Sequence, residues 1–245
     1  MIIAIPTYKR TSLLNKSTLP LLLNSGFSRD EIYIFVSGED EYLDYIERFP
    51  DFNIIIGDSG IHGIHNSITD YFLEGQEVIR MDDDITKIDG ACPQMLRTFF
   101  TDAFAYIKEN NLEYWGVYPQ KWEREQLRLP EVSTGLMNVM GMLVGHINRK
   151  AMKIPSEVRF KEEVYRCLWY YENGGICRFN RINVRTRFYR EGSGLSIERN
   201  IDNEKLSALA VYKIFPNYLT IQEKKGRTQF RFKRLPLEPE CCPIQ

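Results

Sequence analysis

The chain has 245 residues, of which 43% are hydrophobic and 13% aromatic, so it is long enough to build one sizeable core. No stretch approaches the roughly 20 apolar residues of a membrane span, and the opening MIIAIPTYKR has no signal-peptide layout. These features predict a cytoplasmic protein without a membrane contact. Five cysteines without a C-x-x-C pair argue against a disulfide framework and against a zinc site.

The formal net charge of −1 hides an asymmetry along the chain. Residues 1–110 carry 9 Lys and Arg against 18 Asp and Glu, whereas residues 111–245 carry 23 against 15. A basic half is typical of proteins that meet a polyanion such as DNA, although a solvated surface that balances the acidic half explains the same counts.

Short apolar runs alternate with amphipathic stretches in the first third of the chain. Strands are predicted at residues 2–5, 31–36, 53–56 and 77–81, and helices at residues 12–25, 39–48 and 64–74, with a kink or restart at Pro20. This β-α-β order predicts a right-handed, mostly parallel central sheet with helices on both faces. Ligands of such α/β sheets bind at the carboxyl ends of the strands.

The pattern is less regular from about residue 92. We expect helices at residues 93–109, 161–171 and 203–214, strands at 113–118, 140–147 and 178–190, and a polar loop at 120–131. No internal repeat or linker is evident, which predicts a single domain over residues 1–245.

Three adjacent carboxylates, Asp82, Asp83 and Asp84, follow the predicted strand 77–81 directly. Their mutual repulsion is unfavourable at a strand end unless a cation neutralises them, and carboxylate oxygens suit Mg²⁺ or Mn²⁺ bound together with phosphate. Alternate side chains of an extended segment share a face, so Asp82 and Asp84 are predicted metal ligands while Asp83 points away. An acidic loop at a strand end is the structural alternative.

The loop after the first strand reads Pro6-Thr7-Tyr8-Lys9-Arg10. Pro6 ends the strand, and the loop is expected to present the Thr7 hydroxyl, the Tyr8 ring and the Arg10 guanidinium at the same sheet edge as the carboxylates. The ring is suited to stacking on a nucleobase, and the guanidinium to pairing with a diphosphate. An ordinary turn capped by the following Thr11 or Ser12 is the alternative.

Several pieces in a fixed order resemble the TET-associated glycosyltransferase family of GT-A enzymes, which occur largely in phages and are thought to glycosylate hydroxymethylated pyrimidines in DNA. The pieces are IAIPTYKR, TLPLLL, EIYIFVSGEDEY, GDSGIHGIHNSI, VIRMDDDI, WGVYPQ, the apolar strand ending at Gly145-His146, FKEEV and GSGLS, and they touch most of the chain.

The resemblance implies a GT-A, Rossmann-like fold with a nucleotide-sugar-binding half at residues 1–91 and a smaller acceptor-side half at 92–245. It implies that the nucleotide and its diphosphate are bound by Pro6, Thr7, Tyr8, Arg10, Ser37, Glu39, Asp82 and Asp83, with the metal on Asp82 and Asp84. Where such enzymes have Arg-Asn, this chain has His65-Asn66, which is expected either to contact the diphosphate or ribose or to be structural.

The acceptor hydroxyl needs a base, and the resemblance places it in Phe160-Lys161-Glu162-Glu163-Val164. Glu163 matches the position of the Glu-Asp motif where inverting GT-A enzymes keep their general base and is the first candidate, with Glu162 the reserve. Both acids are equally well explained as helix-start residues that favour the positive end of the helix dipole.

Cations mixed with aromatic residues form two later segments. They are candidate DNA contacts, because cations hold phosphates and aromatic rings stack on extruded bases. The candidates are Arg178, Arg181, Arg185, Arg187, Arg190, Lys224, Lys225 and Arg227. The second segment fits an edge strand with solvated charges equally well. The turn Gly192-Ser193-Gly194 is expected either to fold over the sugar and diphosphate or to be a plain hairpin turn.

Together these features predict a hexosyltransferase that uses Mn²⁺ or Mg²⁺ and a UDP-sugar, with UDP-glucose the first candidate. Its expected acceptor is DNA carrying a hydroxymethylated pyrimidine, and no obligate protein partner is evident. Two alternatives remain: a GT-A enzyme that acts on a polysaccharide or protein hydroxyl, and a non-catalytic module that binds a nucleotide sugar.

Overall fold

A computed structural model of the chain describes residues 1–118, 126–187, 200–224 and 226–233. Its eleven described strands are β1 (Ile2–Pro6), β2 (Ile32–Ser37), β3 (Asn53–Gly57), β4 (Glu77–Met81), β5 (Ile85–Asp89), β6 (Tyr114–Tyr118), β7 (Val132–Thr134), β8 (Leu143–Ile147), β9 (Ile176–Thr186), β10 (Leu219–Lys224) and β11 (Arg227–Phe232).

The helices of this described part are α1 (Thr11–Lys16), α2 (Thr18–Asn24), α3 (Glu39–Arg48), α4 (Gly60–Tyr71), α5 (Leu96–Glu109), α6 (Glu162–Asn173) and α7 (Ile201–Ile214). Short 3-10 helices at Arg29–Glu31, Pro93–Met95 and Ser156–Lys161 precede β2, α5 and α6. None of the described helices is long and apolar enough to cross a membrane.

Nine of the described strands form one curled sheet in the order β3-β2-β1-β4-β8-β6-β9-β5, with β7 paired to β9. Strands β3, β2, β1 and β4 are parallel neighbours, as the sequence predicted, and β6 pairs parallel with β9. Strands β8, β5 and β7 run antiparallel to their neighbours. Six of these nine strands therefore share one direction, which confirms the mostly parallel sheet.

Helices cover both faces of this sheet. Alternate residues of β1 point to opposite faces, so they pack in two different cores. Ile3 and Ile5 pack in one core with the leucines of α1 and α2 and with α5, whereas Ala4 packs in another with Ile68 and Phe72 around α4. A third core joins α6 and α7 to strands β6 and β8. The order β3-β2-β1-β4 brings the ends of β1 and β4 side by side.

Several predicted element bounds were wrong. The first helix breaks at Ser17 and not at Pro20. Pro20 lies in the first turn of α2, where a backbone N–H has no partner within the helix, so proline loses no hydrogen bond there. Helix α4 spans Gly60–Tyr71 and not residues 64–74, because Phe72 already has an extended backbone. Strand β9 ends at Thr186, and part of the predicted strand 178–190 lies outside the described residues.

Three strands were missed by the sequence prediction: β5, β7 and β10. No turn signal in the sequence separates strand β5 from the aspartates, and β7 has only three residues, so neither was recognised as a strand. The alternative reading of the second basic segment as a strand is confirmed by β11. Among the described cysteines, Cys92, Cys167 and Cys177 are free.

Candidate functional site

The aspartate segment lies where the sequence placed it, directly after β4 and before β5. Its backbone is held on both sides. The Asp82 N–H donates to the carbonyl of Met142 at 2.9 Å, and the Thr18 hydroxyl donates to the carbonyl of Asp82 at 2.7 Å while it accepts from the Ile85 N–H at 3.0 Å. The segment is therefore a fixed part of the fold and not a solvated acidic loop.

Asp83 turns inward to the loop after β1. Its carboxylate accepts from the Thr7 hydroxyl at 2.7 Å and from Arg10 Nη1 at 3.2 Å, and the residue is 3% exposed. Burial raises the pKa of Asp83, and the charge of Arg10 and the Thr7 hydrogen bond oppose that rise. The side chains of Thr7 and Arg10, predicted to bind the nucleotide, thus also fix the middle aspartate.

Asp82 and Asp84 are half-buried, and neither carboxylate has a side-chain hydrogen bond to a described residue, unlike Asp83 with Thr7 and Arg10. Asp84 Oδ1 is fully buried and has no hydrogen-bond partner among the described residues. Burial, reinforced by the neighbouring aspartates, raises the pKa of Asp82 to about 8 and that of Asp84 to about 6. Ionising both side chains at neutral pH is unfavourable without a nearby positive charge.

This pair fits a hard divalent cation, because two carboxylates two residues apart on one segment have raised pKa values and no side-chain ion pair within the described residues. The described residues contain no preformed group of three or more His, Cys, Asp or Glu side chains that would hold an ion alone. Mg²⁺ commonly takes one or two carboxylates together with substrate phosphates, so two protein ligands and a diphosphate are sufficient.

Helix α3 supplies two residues that sequence reasoning missed. The Thr7 hydroxyl gives its hydrogen to Asp83, so it accepts from the Tyr45 hydroxyl at 2.9 Å, and that hydroxyl in turn accepts from the Arg10 N–H at 3.2 Å. The carboxylate of Glu41 accepts from the backbone N–H of Lys9 and, at 3.0 Å, from that of Ser37.

These contacts tie the ends of β1 and β2 to one helix. Lys9 has a φ of 53°, a left-handed conformation that a non-glycine residue adopts only when its surroundings hold it. Glu41 is buried at the first turn of α3, and burial raises its pKa. The helical period of residues 39–48 in the sequence places Glu41 and Tyr45 on one face of α3. It does not identify the residues to which they hydrogen-bond.

The remaining predicted nucleotide contacts differ in exposure. The Tyr8 ring is 41% exposed and is available for stacking. Pro6 ends β1, the neighbour of β4, and Ser37 ends β2 on the other side of β1, so both lie at the same sheet edge as the aspartates. Glu39 is exposed at the start of α3. The predicted Gly192, Ser193 and Gly194 lie outside the described residues.

His65 lies in a buried polar group that also contains Arg80, Arg166 and Glu162. Its Nδ1 accepts from Arg80 Nη2 at 2.6 Å, and its Nε2 lies 3.5 Å from Glu162 Oε1, which is also 3.6 Å from Arg166 Nη2. Burial and the two arginines lower the pKa of His65 well below its ordinary value. A neutral ring that accepts at Nδ1 carries its proton on Nε2, facing Glu162.

Asn66 is engaged with the backbone of Ile154: its amide donates to the carbonyl at 3.0 Å and its oxygen accepts from the N–H at 2.8 Å. This pairing connects α4 to the segment before α6. It occupies both ends of the amide, so the structure gives Asn66 a bracing contact.

Glu162 and Glu163 begin α6. Glu162 is held by His65 and Arg166, and its Oε2 is buried without a hydrogen-bond partner in the part of the chain that the structure describes. The loop before β8 passes over this helix start, since a Cβ at Gly141 would lie 2.9 Å from Arg166 Nη2 and 3.6 Å from the Glu163 Cβ. The same loop binds the N–H of Asp82 through Met142, so it brings α6 to the aspartate segment.

The predicted DNA contacts divide into two groups. Arg178 donates to Asn180 Oδ1 and the Asn138 carbonyl, and Arg181 donates to the carbonyls of Gln126 and Leu129, so both guanidinium groups brace neighbouring loops.

The other candidate DNA contacts that the structure describes do not brace loops. Arg185 pairs with Asp89 at 2.5 Å, and Arg187 and Lys224 are exposed. The side chain of Arg227 and the residues Arg190 and Lys225 lie outside what the structure describes.

No protein-family model and no curated protein matches the chain, so the resemblance to the TET-associated family stays a prediction. Solved structures do resemble its fold. Glucosyl-3-phosphoglycerate synthase from Mycobacterium tuberculosis, in complex with Mn²⁺, UDP-glucose and phosphoglyceric acid, is 12% identical with a TM-score of 0.57, and the match covers 96% of this chain and 86% of that chain.

The same enzyme in complex with Mg²⁺ and UDP is 11% identical with a TM-score of 0.55, and the match covers 94% of this chain and 86% of that chain. Mannosyltransferase PcManGT from Pyrobaculum calidifontis, in complex with GDP-Man and Mn²⁺, is 14% identical with a TM-score of 0.47. That match covers 72% of this chain and 55% of the mannosyltransferase. By its sheet order and its likeness to the two synthase structures, the chain has the α/β fold of GT-A glycosyltransferases.

Proposed function

We propose that the chain is a metal-dependent glycosyltransferase that moves a sugar from a UDP-sugar to the hydroxyl of a hydroxymethylated pyrimidine in DNA. The observation that carries the transferase part is the fixed aspartate segment beside the β1 loop. Thr7 and Arg10 hold Asp83 there, whereas no described side chain donates to the carboxylate of Asp82 or Asp84, and Asp84 Oδ1 is buried.

In the proposed site, Asp82 and Asp84 hold Mn²⁺ or Mg²⁺ together with the diphosphate of the donor. When bound, the ion would offset the negative charge that grows on the diphosphate as the nucleotide leaves. Tyr8 stacks on the base, since its ring is exposed at the sheet edge. The metal and UDP are supported by the neighbours of this fold, which were crystallised with Mn²⁺ or Mg²⁺ and UDP or UDP-glucose.

The transfer itself needs a carboxylate to take the proton of the acceptor hydroxyl. As that proton leaves, the acceptor oxygen bonds to the anomeric carbon of the sugar and the bond from that carbon to the diphosphate oxygen breaks. Glu163 is the first candidate for this base and Glu162 the second. Both begin α6, which the loop of Gly141 and Met142 connects to the aspartate segment.

The DNA acceptor is supported by the basic second half of the chain and by the exposed Arg187 and Lys224. Glucose as the sugar and a hydroxymethylpyrimidine as the acceptor follow from the resemblance to the TET-associated family. A polysaccharide or protein hydroxyl is the competing acceptor.

The acceptor is tested by incubating the protein with Mn²⁺ and UDP-glucose together with one of four acceptors: DNA containing hydroxymethylcytosine, DNA containing hydroxymethyluracil, plain DNA or a simple glycan. We expect mass spectrometry to find one added hexose per modified base and none on plain DNA. A hexose on the glycan alone would assign the acceptor to the second class. Failure to release UDP with any acceptor or sugar nucleotide would reject the transferase.

The metal site is tested with Asp84→Asn, which replaces one proposed ligand by a neutral amide. We expect Mn²⁺-dependent UDP affinity in calorimetry to fall at least about tenfold, because a hard cation prefers carboxylate. Asp102→Asn is the matched control, since Asp102 is exposed on α5. Equal UDP affinity of the two variants would remove Asp84 from the site.

The base is tested by comparing Glu163→Gln with Glu162→Gln. Loss of the base should abolish turnover and leave UDP binding intact. Unfolding midpoints must accompany the rates, because Glu162 also pairs with Arg166. Full turnover by folded Glu163→Gln would move the role to Glu162 or to another group.

A further inference from the structure

A second cleft adjoins the aspartate segment outside the proposed donor site. It has a volume of about 810 Å³ and lies between the α1-α2 pair, strand β5 and the 3-10 turn at Pro93. Two contacts connect it to the site: Thr18, next to the lining residue Ser17, holds the backbone of Asp82, and the N–H of the lining residue Arg187 donates to the carbonyl of Asp84 at 2.9 Å.

The charge on the cleft wall is mainly positive. Lys16, Lys87 and Arg187 line it, and Asp89 is the one acidic residue among its described lining residues. Asp89 is already paired with Lys87 at 2.6 Å and with Arg185 at 2.5 Å, and these cations lower its pKa. Lys16 and Arg187 are exposed and have no ion pair with any residue the structure describes. Two cations are therefore available to an anionic ligand.

The rest of the cleft is apolar, with one buried hydroxyl. Pro20, Leu21, Ile88 and Leu96 contribute to its lining. Ser17 also contributes to the lining, and its buried hydroxyl has no hydrogen-bond partner among the described residues. Ligand pockets of about 300–1,000 Å³ are typical for small molecules, so the space suits a nucleotide-sized group. A phosphate beside the two cations and a ring on the apolar wall would match the charge and the lining of the cleft.

We propose that this cleft binds a nucleotide of the acceptor strand next to the modified one, with its phosphodiester between Lys16 and Arg187. The inference rests on the proposed DNA acceptor and names the part of the protein that holds it. Phosphate contacts fix the register of a strand without reading its sequence, as an enzyme acting on a chemically marked base requires. The cleft would hold the strand while the marked base reaches the sugar.

The test measures the binding of a labelled single-stranded oligonucleotide by fluorescence anisotropy, without donor or metal. The variant is Lys16→Glu with Arg187→Glu, and the control is Lys213→Glu, an exposed lysine in the last turn of α7. We expect at least about tenfold weaker binding for the double variant and a shallower dependence on salt, because fewer counterions are released. The control should stay within about twofold of the parent protein.

Equal affinities of the double variant and the control would overturn the proposal, and so would an absence of oligonucleotide binding by the parent protein. A methylphosphonate oligonucleotide, which lacks the charges, should bind weakly and equally to all three proteins. Binding of inorganic phosphate or a sugar phosphate with the same dependence on Lys16 and Arg187, but no oligonucleotide binding, would assign the cleft to a small phosphate ester instead.

This design separates the cleft from the reaction. If no hexose is added to modified DNA but oligonucleotide binding still depends on Lys16 and Arg187, the proposed function fails and the cleft stands. If hexose is added and the double variant binds the strand normally, the function stands and the cleft fails.

Discussion

Removal of a single oxygen from Tyr45 tests whether helix α3 positions the aspartate segment, Asp82–Asp84. Tyr45→Phe keeps the buried ring and so leaves no cavity, but it breaks the chain of hydrogen bonds from the Arg10 N–H through Tyr45 and Thr7 to Asp83. Two bonds are lost, each worth about 1 kcal/mol net, so we expect the free energy of unfolding to fall by about 2 kcal/mol. For a chain of this size that corresponds to roughly 4–8 °C in the unfolding midpoint.

The same change should weaken the binding of UDP with Mn²⁺ by about fivefold, or about 1 kcal/mol, because Thr7 and Arg10 hold Asp83 less firmly. Thr7→Val combined with Tyr45→Phe should show a coupling energy of about 1 kcal/mol in a double-mutant cycle, since the two hydroxyls share a bond. Tyr42→Phe is the control on the same helix, because the Tyr42 hydroxyl has no hydrogen bond to a described residue.

Thermal unfolding and calorimetry measure the two effects. The reasoning is refuted if Tyr45→Phe and Tyr42→Phe unfold at the same temperature, or if UDP affinity is unchanged while stability falls. The second result would leave Tyr45 as a core residue with no part in the site.

Three other predictions concern charge. UDP and Mn²⁺ should bind more tightly as pH rises from about 6 to about 8, with release of protons in calorimetry, because the raised pKa values of Asp82 (about 8) and Asp84 (about 6) keep protons on the ligands. Without metal, the free energy of unfolding should fall over the same pH range, since a raised carboxyl pKa favours the folded state at low pH. If neither UDP affinity nor this stability changed with pH, the raised pKa values would be wrong. Arg97 lowers the pKa of Glu31 to about 2, so their ion pair should stabilise the fold at neutral pH and much less near pH 2. Arg97→Gln should therefore lower the free energy of unfolding in urea by about 1 kcal/mol at neutral pH, a figure that allows for solvent screening. An equal cost at both pH values would refute that pairing. Glu162→Gln should destabilise the protein by about 3 kcal/mol, because the buried Arg166 then loses its ion pair with Glu162. A loss below about 1 kcal/mol would show that this pair does not stabilise the fold.

The buried group around Glu162 also explains why the two candidate bases need different controls. Arg80 and Arg166 are 2% and 1% exposed, and Glu162 is the acid that approaches Arg166. Burial and the charge of Arg166 lower the pKa of Arg80 to about 9. A change at Glu162 therefore alters both folding and charge near Asp82, whereas the role of Glu163 is judged from turnover and UDP binding together.

Local pattern in the sequence determined much of this fold. Four short apolar runs with helices between them specified the parallel strands β1 to β4, because buried parallel strands read as continuous apolar runs and their right-handed crossovers require helices. The Asp82–Asp84 segment could be placed at a strand end on the same basis, and Thr7 and Arg10 could be placed at the same edge.

Only the tertiary structure decided which of those residues meet. Tyr45 and Glu41 reach the β1 loop from a helix more than thirty residues away, and Glu162 reaches His65 across nearly a hundred. Arg178 and Arg181 looked like DNA contacts in the sequence, yet they brace loops whose positions depend on strands β7 and β9. A periodic pattern shows which side of an element is buried, but a hydrogen-bond partner is set by how elements pack, and that information is not local to any segment.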